Sequence, residues 1–279
     1  MTDNRGKIYD DINRLPKVSS EAAIEILPIL QQATDEFPNI SKYYSEIFPY
    51  QPIQLQFVKS RAGELAGKHI LDIGCATGEL SFQMANAGAK VTGIDLNEDL
   101  LNQALAKTGS GGCQTANPLF MKGNMLDLET DFQSGKFDVV LCFGNTLVHL
   151  QTLGLIQQML NGVFTVLKPG SRFLLQILNY DFILGEQVST LPTIETENIR
   201  FIRNYRFEEN NPLIQFQTKL VMLKENKTIS NETLLFALKS AELKELLISA
   251  GFSEIELFSN FKQEPFGGKH LPLVISAVK

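Results

Sequence analysis

A chain of 279 residues, 44% of them hydrophobic, is long enough to bury a substantial core as one large domain or one domain plus an elaboration. Its net charge of −6 comes from interspersed acids and bases, with no basic run to mark a nucleic-acid footprint. Apolar runs are too short and too interrupted for a bilayer, and "MTDNRGKIYDD" at the start lacks the apolar stretch of a signal peptide; three scattered cysteines (Cys75, Cys113, Cys142) give neither a disulfide framework nor a zinc pattern, so a reduced, cytoplasmic setting is expected.

Along the chain, residues 20–34 space Ala22, Ile26, Ile29 and Leu30 as a helix, with Pro28 a kink or a boundary. "SKYYSEIFPYQPIQLQFVKSRAGEL" is a second helical stretch, broken at Pro49 and Pro52. The pattern then alternates. "KHILDIG", "KVTGIDL", part of "NPLFMKGNML", "KFDVVLCFG" and "SRFLLQILN" read as strands, and helical segments such as "GELSFQMANAG", "EDLLNQALAKTG" and "TLGLIQQMLNGVFTVLKPG" lie between them. This rhythm predicts parallel β-α-β units covered on both faces, with Gly88 and Gly170 as helix C-caps. After Asp181 the period drops to two. "NIRFIRNYRFEENNPLIQFQTKLVMLKENKTISNETLLFALK" predicts an antiparallel meander, and then "SAELKELLISAGF" returns to helix. "SEIELFSNF" and "HLPLVISAVK" close the chain as an antiparallel pair about Gly267 and Gly268.

The chemistry concentrates at "LDIGCATGEL". Asp72 ends an apolar strand, and Gly74 and Gly78 bracket a small-residue turn that opens a helix. Open α/β sheets bind ligands at such turns. A dinucleotide would call for a third glycine where Glu79 stands, and an acid at a helix start opposes a pyrophosphate. No Lys-Ser/Thr follows Gly78, so the Walker pattern is absent too. Asp95 closes the next strand about twenty residues on, where a carboxylate accepts ribose hydroxyls. A ribose held without a phosphate implies an adenosine-type ligand. Asp72 suits one that carries an ammonium or sulfonium; its bland role is to cap backbone amides.

"LDIGCATGEL" resembles motif I of the class I S-adenosylmethionine (SAM)-dependent methyltransferases, with Ala76 at the middle glycine. "VTGIDLNEDLL", "GNML" (123–126) and "LKPGSRFLLQ" resemble the family's following segments, and the ordered set is more specific than any one of them. "CFGNTLVHL" (142–150) and "NYD" (179–181) are similar to the glycine and sarcosine N-methyltransferase branch and its small-molecule relatives, as is the stretch holding Tyr44 and Tyr50. That branch has an arginine where Leu178 stands, so glycine and sarcosine are expected to be poor substrates.

The resemblance implies a Rossmann-like α/β fold: a seven-stranded, mostly parallel sheet in the order 3-2-1-4-5-7-6 with strand 7 antiparallel. It divides the chain into a helical extension or lid (1–60), a core (61–181 and 234–279) and an antiparallel β insertion over the active site (182–233). It implies SAM as cofactor and S-adenosylhomocysteine as product. Contacts are expected from Tyr44, Asp72, Gly74, Cys75, Ala76, Gly78, Asp95, Leu96, Asn124, Met125, Phe143, Gly144, Asn145 and His149. The expected activity is methyl transfer to nitrogen or oxygen of a small molecule, with no metal, nucleic acid or membrane, by a monomer or homodimer. His149, Tyr50 and Arg203 are the catalytic candidates; Arg200, Arg203 and Arg206 alternate with Phe201, Tyr205 and Phe207, which reads as a solvated strand face or, more sharply, as Arg203 turned to an anionic substrate. A non-catalytic SAM-binding protein and a nucleotide-dependent oxidoreductase are the alternatives. His69, His270 and Cys142 read as structural.

Overall fold

The computed structural model describes residues 40–108, 117–209 and 211–279. The helix expected over 20–34 and Cys113 lie outside them. Seven strands form the main sheet: β1 (His69–Ile73), β2 (Lys90–Asp95), β3 (Leu119–Lys122), β4 (Phe137–Cys142), β5 (Leu167–Leu178), β10 (Ser253–Phe258) and β11 (Pro272–Val278). Their order is β10-β11-β5-β4-β1-β2-β3, and β11 runs antiparallel to both neighbours. This is the 3-2-1-4-5-7-6 arrangement that the resemblance implied. Strand order reverses between β1 and β4, which places a crevice at the carboxyl ends of β1, β2 and β4.

The central strands are continuous apolar runs because helices cover both faces. One face packs under α6 (Leu153–Val166) and α8 (Ser240–Ser249), burying Ile156, Met159, Leu160, Val163, Leu243 and Leu247. The other packs under α2 (Pro52–Ala62) and α3 (Glu79–Asn86), burying Phe57, Val58 and Met84. Local chemistry sets the helix starts. Pro52 occupies the first turn of α2, and Asn97 accepts the Leu100 N–H to open α4 (Glu98–Lys107). Thr152 and Asn179 do the same for α6 and α7 (Tyr180–Gly185). Among the described residues the other α-helices are four-residue turns, α1 (Tyr44–Ile47) and α5 (Leu128–Asp131).

The meander is a four-stranded antiparallel sheet: β6 (Thr190–Glu195), β7 (Ile199–Arg206), β8 (Leu213–Met222) and β9 (Lys227–Phe236). Sequence alternation found β7 to β9 but not β6, whose buried face is limited to Leu191 and half-buried Ile194. The sheet's inner face receives the start of the described chain. Ile40 and Ile47 pack with Ile199, Phe201, Leu220 and Met222. Lys42 and Tyr43 both bond Glu225, and Glu46 accepts from Thr196 and Asn198.

Gly170 is a correction. α6 ends at Val166 and β5 starts at once, so Gly170 is no helix cap. It takes a φ of +73° inside β5, where the register against β4 shifts between the Phe137–Leu167 and Val139–Arg172 pairs, and its N–H donates to Lys279 O. Gly88 does follow the end of α3, at φ +91°.

Candidate active site

The turn after β1 is built from left-handed residues: Gly74 (φ +71°), Ala76 (+48°) and Gly78 (+77°). A Cβ on Gly74 would come within 2.7 Å of Thr146 Oγ1, because the loop after β4 crosses close above it. Asp72 is buried and accepts a 2.6 Å hydrogen bond from Ser81 Oγ, tying β1 to α3. Burial pushes its carboxyl up to about 6; Ser81 holds it down and the charge of Asp95 adds to the rise. Glu79, the acid that disfavours a phosphate, is paired with Lys107 at 2.5 Å.

Asp95 ends β2 with both oxygens engaged by backbone: Oδ2 accepts from Ala76 N–H (2.9 Å) and Oδ1 from Asn97 N–H (2.8 Å). The Leu96 N–H is a third backbone donor to it, and the four lone-pair sites of a carboxylate still leave one for a further donor. Burial raises its pKa and the backbone donors oppose the rise. Tyr44 lies near enough to feel this carboxylate. Burial raises its phenol well beyond the usual range, and Asp95, Cys75 and Asp72 add to the effect, in that order. Ser45 Oγ lies 3.1 Å from Thr77 Oγ1, and Gln103 donates to Ser41 O. The 41–45 segment is therefore bonded to the turn on one side and to the antiparallel sheet on the other.

The loop after β4 supplies the third wall. Gly144 is exposed at φ +78°, and its N–H donates to Gln176 Oε1 (2.8 Å). Asn145 Oδ1 accepts Leu178 N–H (2.9 Å), and its Nδ2 donates to the Tyr180 hydroxyl (3.2 Å). Asn124 Oδ1 shapes its own turn by accepting Leu126 N–H (3.0 Å). Cys75 and Cys142 are buried thiols whose pKa burial raises, so neither is a ready nucleophile. Leu96, Met125 and Phe143 pack into the hydrophobic core beside these loops.

A methyltransferase domain family model matches residues 64–250 of this sequence. The chain belongs to that methyltransferase family. The match bears out the enzyme class and, with it, SAM as the methyl donor. A ubiquinone biosynthesis O-methyltransferase of Xanthomonas euvesicatoria is 36% identical over 128 residues, 46% of this chain and 50% of that protein, so the chain spans about half the length of such relatives. A SAM-dependent methyltransferase from Clostridium acetobutylicum has the same fold, with TM-score 0.72 at 16% identity over 88% of this chain and 98% of that one. SAM-bound CalS10, an amino pentose methyltransferase from Micromonospora echinaspora, aligns with TM-score 0.57 at 17% identity over 80% and 88% of the two chains.

Around this methyltransferase's turn the fold gathers Tyr44, Asp72, Cys75, Ala76, Gly78 and Asp95, with Gly144 and Asn145 on the β4 loop. Tyr50 lies in the break between α1 and α2, where burial raises its phenol. Arg203 lies on β7, with Nη2 donating to Pro192 O (2.7 Å). Sequence reasoning missed Ser81 and Gln176 as supports of the site, because they act through hydrogen bonds made across the fold: Ser81 to Asp72, and Gln176 from the Gly144 and Asn145 N–H groups. The His270 ring bonds Pro272 O and Gly267 N–H, and at His69 it is the backbone N–H that donates to the Asp138 carboxylate. Among the described residues no helix is long and apolar enough to cross a membrane, and no three metal-ligating side chains cluster.

His149 ends the 3-10 turn Thr146–His149, and burial alone pulls its imidazole down to about 4. An unfolded histidine takes a proton near pH 6.5, so between about 6.5 and 4 the unfolded chain binds more protons. The stability held by neutral His149 is full above that window and is lost as pH falls through it. Asp72 runs the other way: its folded carboxyl binds the proton first, so its contribution is present at low pH and is lost as pH rises towards 6. Denaturation at pH 7 and pH 5 should show wild type losing about 1–2 kcal/mol more than His149→Gln. Equal losses would show that the imidazole titrates normally.

Proposed function

We propose that this methyltransferase moves the methyl group of SAM to nitrogen or oxygen of a small molecule, in the crevice between the β1, β2 and β4 loops and a roof made by residues 41–56 and the antiparallel sheet. The observation that carries this reading is the family's turn after β1, where the Asp95 and Asp72 carboxylates act on the buried Tyr44 phenol and Asp95 accepts the Ala76 N–H.

The residues present fit SAM. Asp95 has a lone pair for a ribose hydroxyl, and the amide donors of Asn124 are uncommitted among the described residues and suit adenine. The negative field of Asp72 and Asp95 suits a cationic ligand and disfavours a diphosphate. SAM supplies an electrophilic methyl group, so alignment and exclusion of water are the protein's main tasks. Tyr44 and the bonds of Ser45 and Glu46 hold the roof down over the turn. His149 is neutral at pH 7 and can accept a proton, but its low pKa makes it a weak base; an amine acceptor that enters uncharged needs little help.

Labelled methyl transfer from SAM to pools of small metabolites tests the reaction. Absence of any labelled product, with SAM bound, would favour a non-catalytic binding protein. SAM is also expected to slow hydrogen exchange across residues 41–56, because a roof must open to admit the donor. Equal protection with and without SAM would remove the segment from the binding step.

A further inference from the structure

Resting on that reading, we propose that Arg203 and the Tyr205 hydroxyl form an anion subsite in the roof, and that the methyl acceptor is an apolar small molecule carrying a single carboxylate. The strand β7 alternates. Ile199, Phe201 and Tyr205 are buried, while Arg200 and Arg206 are exposed, so Arg203 shares the inner face. Arg200 is satisfied on the outer face by Glu195 (2.8 Å). Among the described residues Arg203 has no such partner. Its Nε and the Tyr205 hydroxyl are buried without a hydrogen bond among the described residues.

The surroundings show a prepared position rather than a packing accident. Pro192 O holds Nη2, and the guanidinium lies 5.9 Å from the centre of the Phe201 ring, which fixes the fork while leaving Nε free. Arg203, Thr218 and Asn231 are register partners across three strands, a polar band between two apolar patches. One patch holds Phe201 and the 40–47 segment; the other holds Tyr205 and the main core. Tyr205 stands beside Tyr180 without a well-formed bond to it, and Tyr180 meets Asn145 of the β4 loop. The band therefore continues down to the wall of the crevice.

A half-buried guanidinium with no acid paired to it among the described residues carries an uncompensated charge, which a carboxylate would relieve through charge-assisted bonds. Burial keeps both phenols protonated, so Tyr205 is a donor and adds no competing charge. One inward cation matches one negative charge. The floor already holds Asp72 and Asp95, which repel a multiply charged group. Aromatic rings on either side of the band favour an apolar body for the rest of the acceptor.

The test uses ω-phenyl carboxylates of two to four carbons, their carboxamides and phenyl phosphate, titrated calorimetrically into the full chain with and without saturating S-adenosylhomocysteine. Wild type should bind at least one carboxylate ten-fold or more tighter than its amide. Arg203→Gln should bring that ratio near one, Arg203→Lys should restore part of it, and S-adenosylhomocysteine affinity should stay within two-fold throughout. The melting temperature of Arg203→Gln should not fall, because an unpaired charge is removed; a purely structural arginine would leave the ratio unchanged and lower the melting temperature. No carboxylate preference, no binding of any carboxylate, tighter binding of phenyl phosphate, or an unchanged ratio in Arg203→Gln would overturn the subsite. Failure of S-adenosylhomocysteine to bind wild type would instead overturn the donor site, since the carboxylate preference is read separately without it.

Discussion

Asp95→Ala is expected to weaken binding of S-adenosylhomocysteine roughly 10- to 150-fold. A charge-assisted hydrogen bond to a ribose hydroxyl contributes about 1.5–3 kcal/mol, and each 1.4 kcal/mol is a factor of ten. The carboxylate also braces the pocket. Its two oxygens accept the N–H groups of Ala76 and Asn97, one on the glycine turn and one at the start of α4. Alanine removes the ligand's partner and both braces, so part of the loss would come from a loosened turn. Asp95→Asn separates these effects: it keeps an acceptor for one brace and loses the charge, so its affinity should fall between wild type and Asp95→Ala. Calorimetry on all three chains, with denaturation curves to confirm folding, is the measurement. Unchanged affinity in a folded Asp95→Ala chain would remove Asp95 from the ribose.

The main sheet was legible because its strands are buried on both faces and its helices carry caps that the sequence displays, such as Asn97 and Thr152. Motif I was legible for a steric reason. Gly74 and Gly78 adopt positive φ and have neighbours too close for a Cβ, so their spacing records the geometry. Ala76 shows the limit of that code: at φ +48° an alanine is strained but possible, and its N–H still reaches Asp95. Gly170 misled because a glycine after a helical pattern reads as a cap, while here it serves a shift of strand register. β6 was missed because only Leu191 and half-buried Ile194 mark its inner face and Pro192 interrupts it, and α7 because six residues are too few to show a helical period. The supports of the site lay beyond sequence reading for another reason. Gln176 and Gly144 are 32 positions apart, and nothing local in either says that they meet. The same holds for Arg203: period-two alternation puts it on the inner face, but the absence of an acidic partner shows only once three strands are in register.

Gly78→Ala is expected to cost about 2–5 kcal/mol of folding stability. The backbone at Gly78 is left-handed, which costs a side-chain-bearing residue about 1–2 kcal/mol. A Cβ there would also clash with Phe120 Cζ and lie 3.2 Å from Ala104 Cβ. Phe120 cannot simply swing aside. It is buried with Cys75, Leu101 and Ala104, and its ring packs on Phe82 with centroids 5.4 Å apart. Such overpacking costs about 1–3 kcal/mol. The two parts can be separated, because shortening the neighbour in Gly78→Ala/Phe120→Leu should recover the steric share relative to Phe120→Leu alone and leave the backbone share. Gly78 precedes Glu79 at the start of α3, whose Ser81 holds Asp72, so the single variant should also bind S-adenosylhomocysteine more weakly. Urea denaturation of the four chains of this cycle measures the coupling. A loss below about 1 kcal/mol in the single variant, or a cycle with no coupling, would mean that the turn yields more easily than its packing implies.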